Sequence, residues 1–325
     1  MASGITHILL MKYLQNMLPD NDLKMELASG RDFLQVGAVA PDLPYASIAD
    51  NDFFFSNQSE LADKFHYEKT NLIALNGLKE IMHTPALTIK EKRYLFCFFI
   101  GFISHIIADG IIHPFIRDKV GNYKENQTAH RVLEMQLDVL FYYHITLKSN
   151  DPIQLNYSNI HDELKNFDDD VYPEVDKVLT IFRMMIYEVY NIYYTKEKIL
   201  GWVTGLHRMF GVTEGKHPSI YRGLPFIGNF LFSNYEDLLG KYDNILTLTK
   251  PKDRPTNFLN KPKIHFFDDC VQKFYNTFIP VANKAYNYIN SNGELLSEFD
   301  IPQIDLDTGR LLANNNLNMV PAFWS

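Results

Sequence analysis

Between Tyr94 and Phe115 the chain is apolar almost without interruption, yet it places His105, Asp109 and His113 at i, i+4 and i+8. The run from Tyr94 to Ile107 is broken by Ser104 and His105 and followed by Asp109. That is short of the roughly 20 apolar residues that span a bilayer. It predicts instead a buried core helix with His105 and Asp109 on one face. A carboxylate buried there is costly unless something compensates, and a divalent metal does so while accepting imidazole nitrogen and carboxylate oxygen. Pro114 disfavours the helical conformation at His113, so the helix is expected to end or bend there and to aim His113 at a different ion from His105.

Helical spacing dominates the rest of the chain. His7, Leu10, Met11, Leu14, Met17 and Leu18 follow one helix face up to Pro19, and Val175 to Val189 repeat the pattern after Pro173, a residue favoured at a first helical position. Phe267, Cys270, Val271, Phe274 and Phe278 make a further stripe that Pro280 is expected to kink or split. Strand-like alternation is nowhere sustained. Turn residues cluster at 41–59, 119–127, 148–170 and 250–263, without the composition of a long flexible linker. With no internal repeat, the expectation is one all-α domain: a core over residues 1–200 and a helical C-terminal extension over 201–325 packed on the same domain.

A second polar pair follows the first. Thr128 can cap a helix on which His130 and Glu134 stand one turn apart, beside the apolar Leu133, Leu137, Leu140 and Phe141. Asp42, in Gly37-Ala38-Val39-Ala40-Pro41-Asp42, and His66 are weaker candidates alone. A single histidine is ordinarily a core imidazole satisfied by backbone groups, and His83, His144, His161, His207, His217 and His265 take that reading. The run Asp168-Asp169-Asp170 lacks the Gly and terminal Glu of a calcium loop and reads as a solvated turn. His7, Asp42, His66, His105, Asp109, His113, His130 and Glu134 together supply eight donors, enough for at least two catalytic zinc ions with water positions left open.

The order of these pieces, Thr6-His7, Gly37 to Asp42, His66, Gly101 to Asp109 with His113, then His130 with Glu134, resembles the zinc-dependent phospholipase C family. It is also similar to the amino-terminal domain of glycosylphosphatidylinositol-specific phospholipase D. The resemblance implies an all-α, multi-helix fold, shared with single-strand nucleases, around a buried cluster of two or three zinc ions. It implies one zinc on Asp42, His66, His105 and Asp109, a second on His113, His130 and Glu134, and a third on His7 with Asp109 shared. Secreted bacterial members complete the third site with a mature N-terminal Trp, which this sequence does not offer near its start.

The implied activity is phosphoric diester hydrolysis, most simply of a phospholipid or related headgroup ester, with contact at a membrane surface. Asp42 is expected to combine metal ligation with orienting or deprotonating the attacking water, although sequence does not fix which carboxylate serves as base. Single-strand nuclease or nucleotidase activity is the alternative. Against it, Lys and Arg total 31 and Asp and Glu 39, a formal charge of −8 that repels a polyanion, and no basic cluster accompanies the aromatics. Phe53-Phe54-Phe55, between Asp42 and His66, could wall a lipid site or anchor its own loop. The segment Gly223 to Phe230 could cap the cleft or simply pack. Two rival readings are an HD-type phosphohydrolase built on His161-Asp162 and a non-catalytic protein whose zinc is structural. Two cysteines, Cys97 and Cys270, leave the fold without a disulfide framework, and with no basic and apolar leader a mature or cytoplasmic protein is expected.

Overall fold

The structure, a computed structural model, describes residues 4–49, 59–148, 162–213, 233, 235–249, 263–291, 293–314 and 320–325. Phe53 to Phe55, His161, His217 and Gly223 to Phe230 lie outside the described residues.

The fold is all-α. Its helices are α1 (Gly4–Met17), α2 (Asp22–Ser29), α3 (Arg31–Val39), α4 (Ser59–Tyr67), α5 (Leu72–His83), α6 (Ile89–Val120), α7 (Tyr123–Lys148), α8 (Val175–Tyr190), α9 (Lys196–Thr213), α10 (Tyr235–Leu239), α11 (Tyr242–Leu246) and α12 (Gln272–Ser291). A tight 3-10 turn over Ala40–Ala49 follows α3, and two three-residue strands, Thr247–Thr249 and Lys263–His265, pair antiparallel.

α6 is the axis of the molecule. Thr88 opens it with a capping box to Glu91, and Tyr94 to Ile116 are all buried. Its length and composition would suit a membrane span, but its apolar stretch is wholly covered by protein. α1, α3, α5, α8 and α12 pack around it and bury its full circumference, which is why it is apolar on every side rather than along one stripe. Cys97 and Cys270 are buried free thiols.

Four proline and cap expectations shift. α6 continues through Pro114 to Val120 instead of ending at His113, and α12 continues through Pro280. Packing on all sides holds α6 across the missing N–H, and in α12 the buried face of Phe274, Tyr275, Phe278, Val281, Ala282 and Ala285 runs on past the exposed Pro280. α8 begins at Val175, two residues beyond Pro173. α7 begins at Tyr123 and kinks at Asn126, so Thr128 lies inside the helix and does not cap it.

Candidate metal centre

The centre is set by a glycine contact. A Cβ on Gly37 would lie 2.0 Å from the Phe98 carbonyl oxygen, and one on Gly101 would lie 2.3 Å from that of Leu34. Only glycine lets α3 and α6 approach so closely. At that separation the Nδ1 of His105, one turn beyond Gly101, reaches the Ala38 carbonyl at 2.9 Å.

Asp109 stands at the middle, with no exposed surface. Its Oδ1 is 3.2 Å from His7 Nε2 and 3.6 Å from His113 Nε2. Its Oδ2 is 3.1 Å from His105 Nε2 and 3.8 Å from His66 Nε2. His66 Nε2 is also 3.2 Å from Asp42 Oδ1, and His113 Nε2 is 3.8 Å from Glu134 Oε1. The His7 ring stacks on His105 at 4.0 Å.

None of these contacts is aligned as a hydrogen bond. The Nε2 atoms of His7, His66, His105 and His113, Asp42 Oδ1 and both carboxylate oxygens of Asp109 and Glu134 are buried without a hydrogen-bond partner. Atoms that stand 3.1 to 3.8 Å apart yet bond to nothing are spaced as metal ligands are. Donors about 2.0–2.1 Å from one tetrahedral zinc lie about 3.3 Å from each other. Two groups, His7 with Asp42 and His105, and His66 with His105 and Asp109, each bring three ligand atoms within 4.8 Å of one another.

The imidazoles are also held in the tautomer a metal needs. Nδ1 of His66 faces the Ala62 carbonyl at 2.7 Å, that of His105 faces Ala38, and that of His113 faces the Leu306 carbonyl at 2.8 Å. A carbonyl only accepts, so each Nδ1 carries a proton, and in the neutral ring each Nε2 keeps a lone pair turned inward. Burial lowers His7, and it lowers His113 to about 3. Burial also opposes charge on His105, but Asp109 and Asp42 outweigh it and raise the ring above its ordinary value. Burial likewise disfavours the Asp42 and Asp109 anions, yet the surrounding histidines hold Asp42 at about 2 and Asp109 well below the carboxylate range. Glu134 has no such compensation, and burial pushes it up to about 7.

His130 stands apart from the others. It is buried, but its Nε2 faces the Gly121 carbonyl at 2.6 Å and its ring meets Tyr123 edge-on. That leaves Nδ1 as the nitrogen able to take a metal. Among the remaining histidines, His83 is exposed and His144 stacks on Phe267. Asp168 to Asp170 lie at the surface.

Sequence reasoning missed Asp138, which is fully buried and accepts from the Thr6 N–H at 2.9 Å and hydroxyl at 2.5 Å. Burial raises its pKa well above normal. It anchors the start of α1 and thereby His7. Its spacing of four from Glu134 was visible in the sequence, continuing the face of His130 and Glu134 by one turn.

A cavity of about 160 Å³ opens onto His66 and His113, walled by Tyr45, Tyr67, Tyr123, Gln127, Asp63 and Asp307. The Tyr45 hydroxyl donates to Asp63 at 2.6 Å. A larger open cleft of about 850 Å³ between α7 and α11 contains none of the eight candidate ligands.

Neither the curated proteins nor the solved structures include a match to the chain. A family model described as zinc dependent phospholipase C matches residues 6–181, more than half of the 325, and takes in all eight candidates. With that match and an all-α fold around buried His and Asp groups able to hold metal, the chain belongs to the zinc-dependent phospholipase C family.

Proposed function

We propose that the protein hydrolyses a phosphodiester, with a phospholipid or related headgroup ester as substrate and zinc held by His7, Asp42, His66, His105, Asp109, His113, His130 and Glu134. The observation that carries this reading is the set of unpaired nitrogen and oxygen atoms converging on Asp109 in the protein interior. Zinc bound there would lower the pKa of water, polarise the phosphoryl oxygens and neutralise the leaving alkoxide. Asp42, at about 2, is ionised at neutral pH and so can serve as a metal ligand and orient water. Leu306, Ala62 and Ala38 keep three imidazoles from turning.

The cavity's small volume and the −8 charge favour a compact headgroup over a nucleic acid strand. In this reading residues 1–200 form the catalytic core, 201–325 are an extension packed on it, and substrate is met at a membrane surface. The test couples elemental analysis of purified protein to a screen of phosphatidylcholine and phosphatidylinositol vesicles, bis-p-nitrophenyl phosphate, nucleotides and single-stranded DNA. Zinc retention with hydrolysis of a lipid phosphodiester is expected. Undiminished activity after metal stripping would refute the zinc chemistry, and turnover of DNA alone would refute the lipid assignment.

A further inference from the structure

The family match ends at residue 181, yet a segment more than a hundred residues later touches the centre. Leu306 holds two histidines at once. Its carbonyl faces His113 Nδ1 at 2.8 Å, and its N–H donates to the His66 carbonyl at 3.0 Å. The next residue, Asp307, walls the cavity and pairs with Arg117, one turn beyond His113, at 3.1 Å.

The segment is built to stay there. Ile301, Ile304 and Leu306 have no exposed surface. Thr70 Oγ1 donates to the Ile304 carbonyl at 3.0 Å and accepts from its N–H at 3.2 Å, and Asn71 Nδ2 donates to the Ile301 carbonyl at 2.6 Å. Asp305 folds the chain back, its Oδ1 accepting from the N–H groups of Asp307 and Thr308 at 2.9 and 3.0 Å. The turn closes at Gly309, whose φ of +66° and position 2.5 Å from the Gly110 carbonyl, measured from a would-be Cβ, suit only glycine. Gly110 is four residues before Pro114, so this is the α6 carbonyl that Pro114 leaves without its helical donor. Trp324 Nε1 donates to the neighbouring Ile111 carbonyl at 3.0 Å. The segment thus lies along α6 where the proline interrupts the ladder and where His113 projects.

We propose that residues 301–311 are a positioning element of the metal centre, in which the Asp305 turn presents the Leu306 carbonyl that fixes His113 as the Nδ1–H tautomer with Nε2 free for metal. This rests on the metal reading given above. Leu306 and Asp305 act through His113 and need not touch the substrate.

The test compares Asp305→Ala, which loses the acceptor for two turn N–H groups, with Asp305→Asn, which keeps it. Zinc affinity is measured by chelator competition on the full chain. Asp305→Ala is expected to weaken the looser-held zinc by about 10- to 100-fold, as loss of an outer partner does elsewhere, while Asp305→Asn stays within about twofold of wild type. Nitrogen-15 spectra of the histidine rings in zinc-free wild-type protein provide a readout independent of any variant, with His113 expected as Nδ1–H. Equal zinc affinity in wild type and a folded Asp305→Ala, or an Nε2–H tautomer at His113, would overturn the proposal. Wild-type protein that binds no zinc at all would instead defeat the metal reading beneath it, so the two failures are distinguishable.

Discussion

The centre has two halves made by different means. The inner half, His7, His105 and Asp109 with Asp42 and His66 beside them, is held by helices pressed together at Gly37 and Gly101. In the outer half, His113, Glu134 and His130, the two histidines are oriented by backbone carbonyls outside the helices, those of Leu306 and Gly121. Inner carboxylates are ringed by histidines and held ionised, whereas Glu134 is buried with little to balance it and sits at about 7. Tight helix contacts give fixed donor positions, and of the inner donors only His66 reaches the cavity wall. Irregular backbone gives access, and its donors depend on distant parts of the chain.

The largest expected effect tests whether the halves are separable. His105→Ala should remove most bound zinc and all diesterase activity, because His105 belongs to both three-atom groups around the inner carboxylates. His130→Ala should cost one equivalent of zinc and leave the inner metal in place. Elemental analysis after exhaustive dialysis, alongside bis-p-nitrophenyl phosphate turnover, reads both. If His130→Ala empties the protein as fully as His105→Ala, the two halves are one cooperative site and the comparison breaks.

A second effect separates the inner scaffold from the ligands themselves. Gly101→Ala inserts a methyl group 2.3 Å from the Leu34 carbonyl oxygen, a backbone atom with nowhere to go. Overpacking of this kind is expected to cost about 3 kcal/mol and to pull Ala38 away from His105. Gly240→Ala, with nothing within 4 Å, should change stability by less than about 0.5 kcal/mol. Calorimetric unfolding of the three proteins decides it, and a Gly101→Ala as stable as Gly240→Ala would mean that the helix contact does not set the centre.

The inner half was also the more legible one in the sequence. A histidine and a carboxylate one turn apart in an otherwise apolar helix carry their own warning, because burial needs a compensating charge. The glycines at 37 and 101 fell within the quoted motifs. The outer half was only partly readable. The turn rule for Pro114 gave the wrong helix end because tertiary packing and the 301–311 segment support α6 beyond it. Leu306 could not be found at all: a backbone carbonyl has no sequence signature, and it meets His113 across 193 residues. Asp307 is likewise an ordinary aspartate until the fold places it on the cavity wall.

The smallest effect, and the sharpest on the contrast, is the response of zinc-free protein to pH. Glu134 rises from 4.5 to about 7 on burial. The folded state therefore keeps a proton that the unfolded chain releases between those values. This contribution is complete below about pH 4.5 and is lost as pH rises toward 7, with a slope of at most about 1.4 kcal/mol per pH unit. Asp42 and Asp109 act in the opposite sense. Their folded values lie below 3.8, so what they contribute is present above that pH and lost as pH falls. Glu134→Gln should thus gain on wild type steadily from pH 4.5 to 7 in metal-free denaturation curves. Saturating zinc should abolish that gain, since only the ionised Glu134 can serve as ligand. A difference between the two proteins that stays flat with pH would show that the outer carboxyl is balanced like the inner ones, and the electrostatic division of the centre would fall.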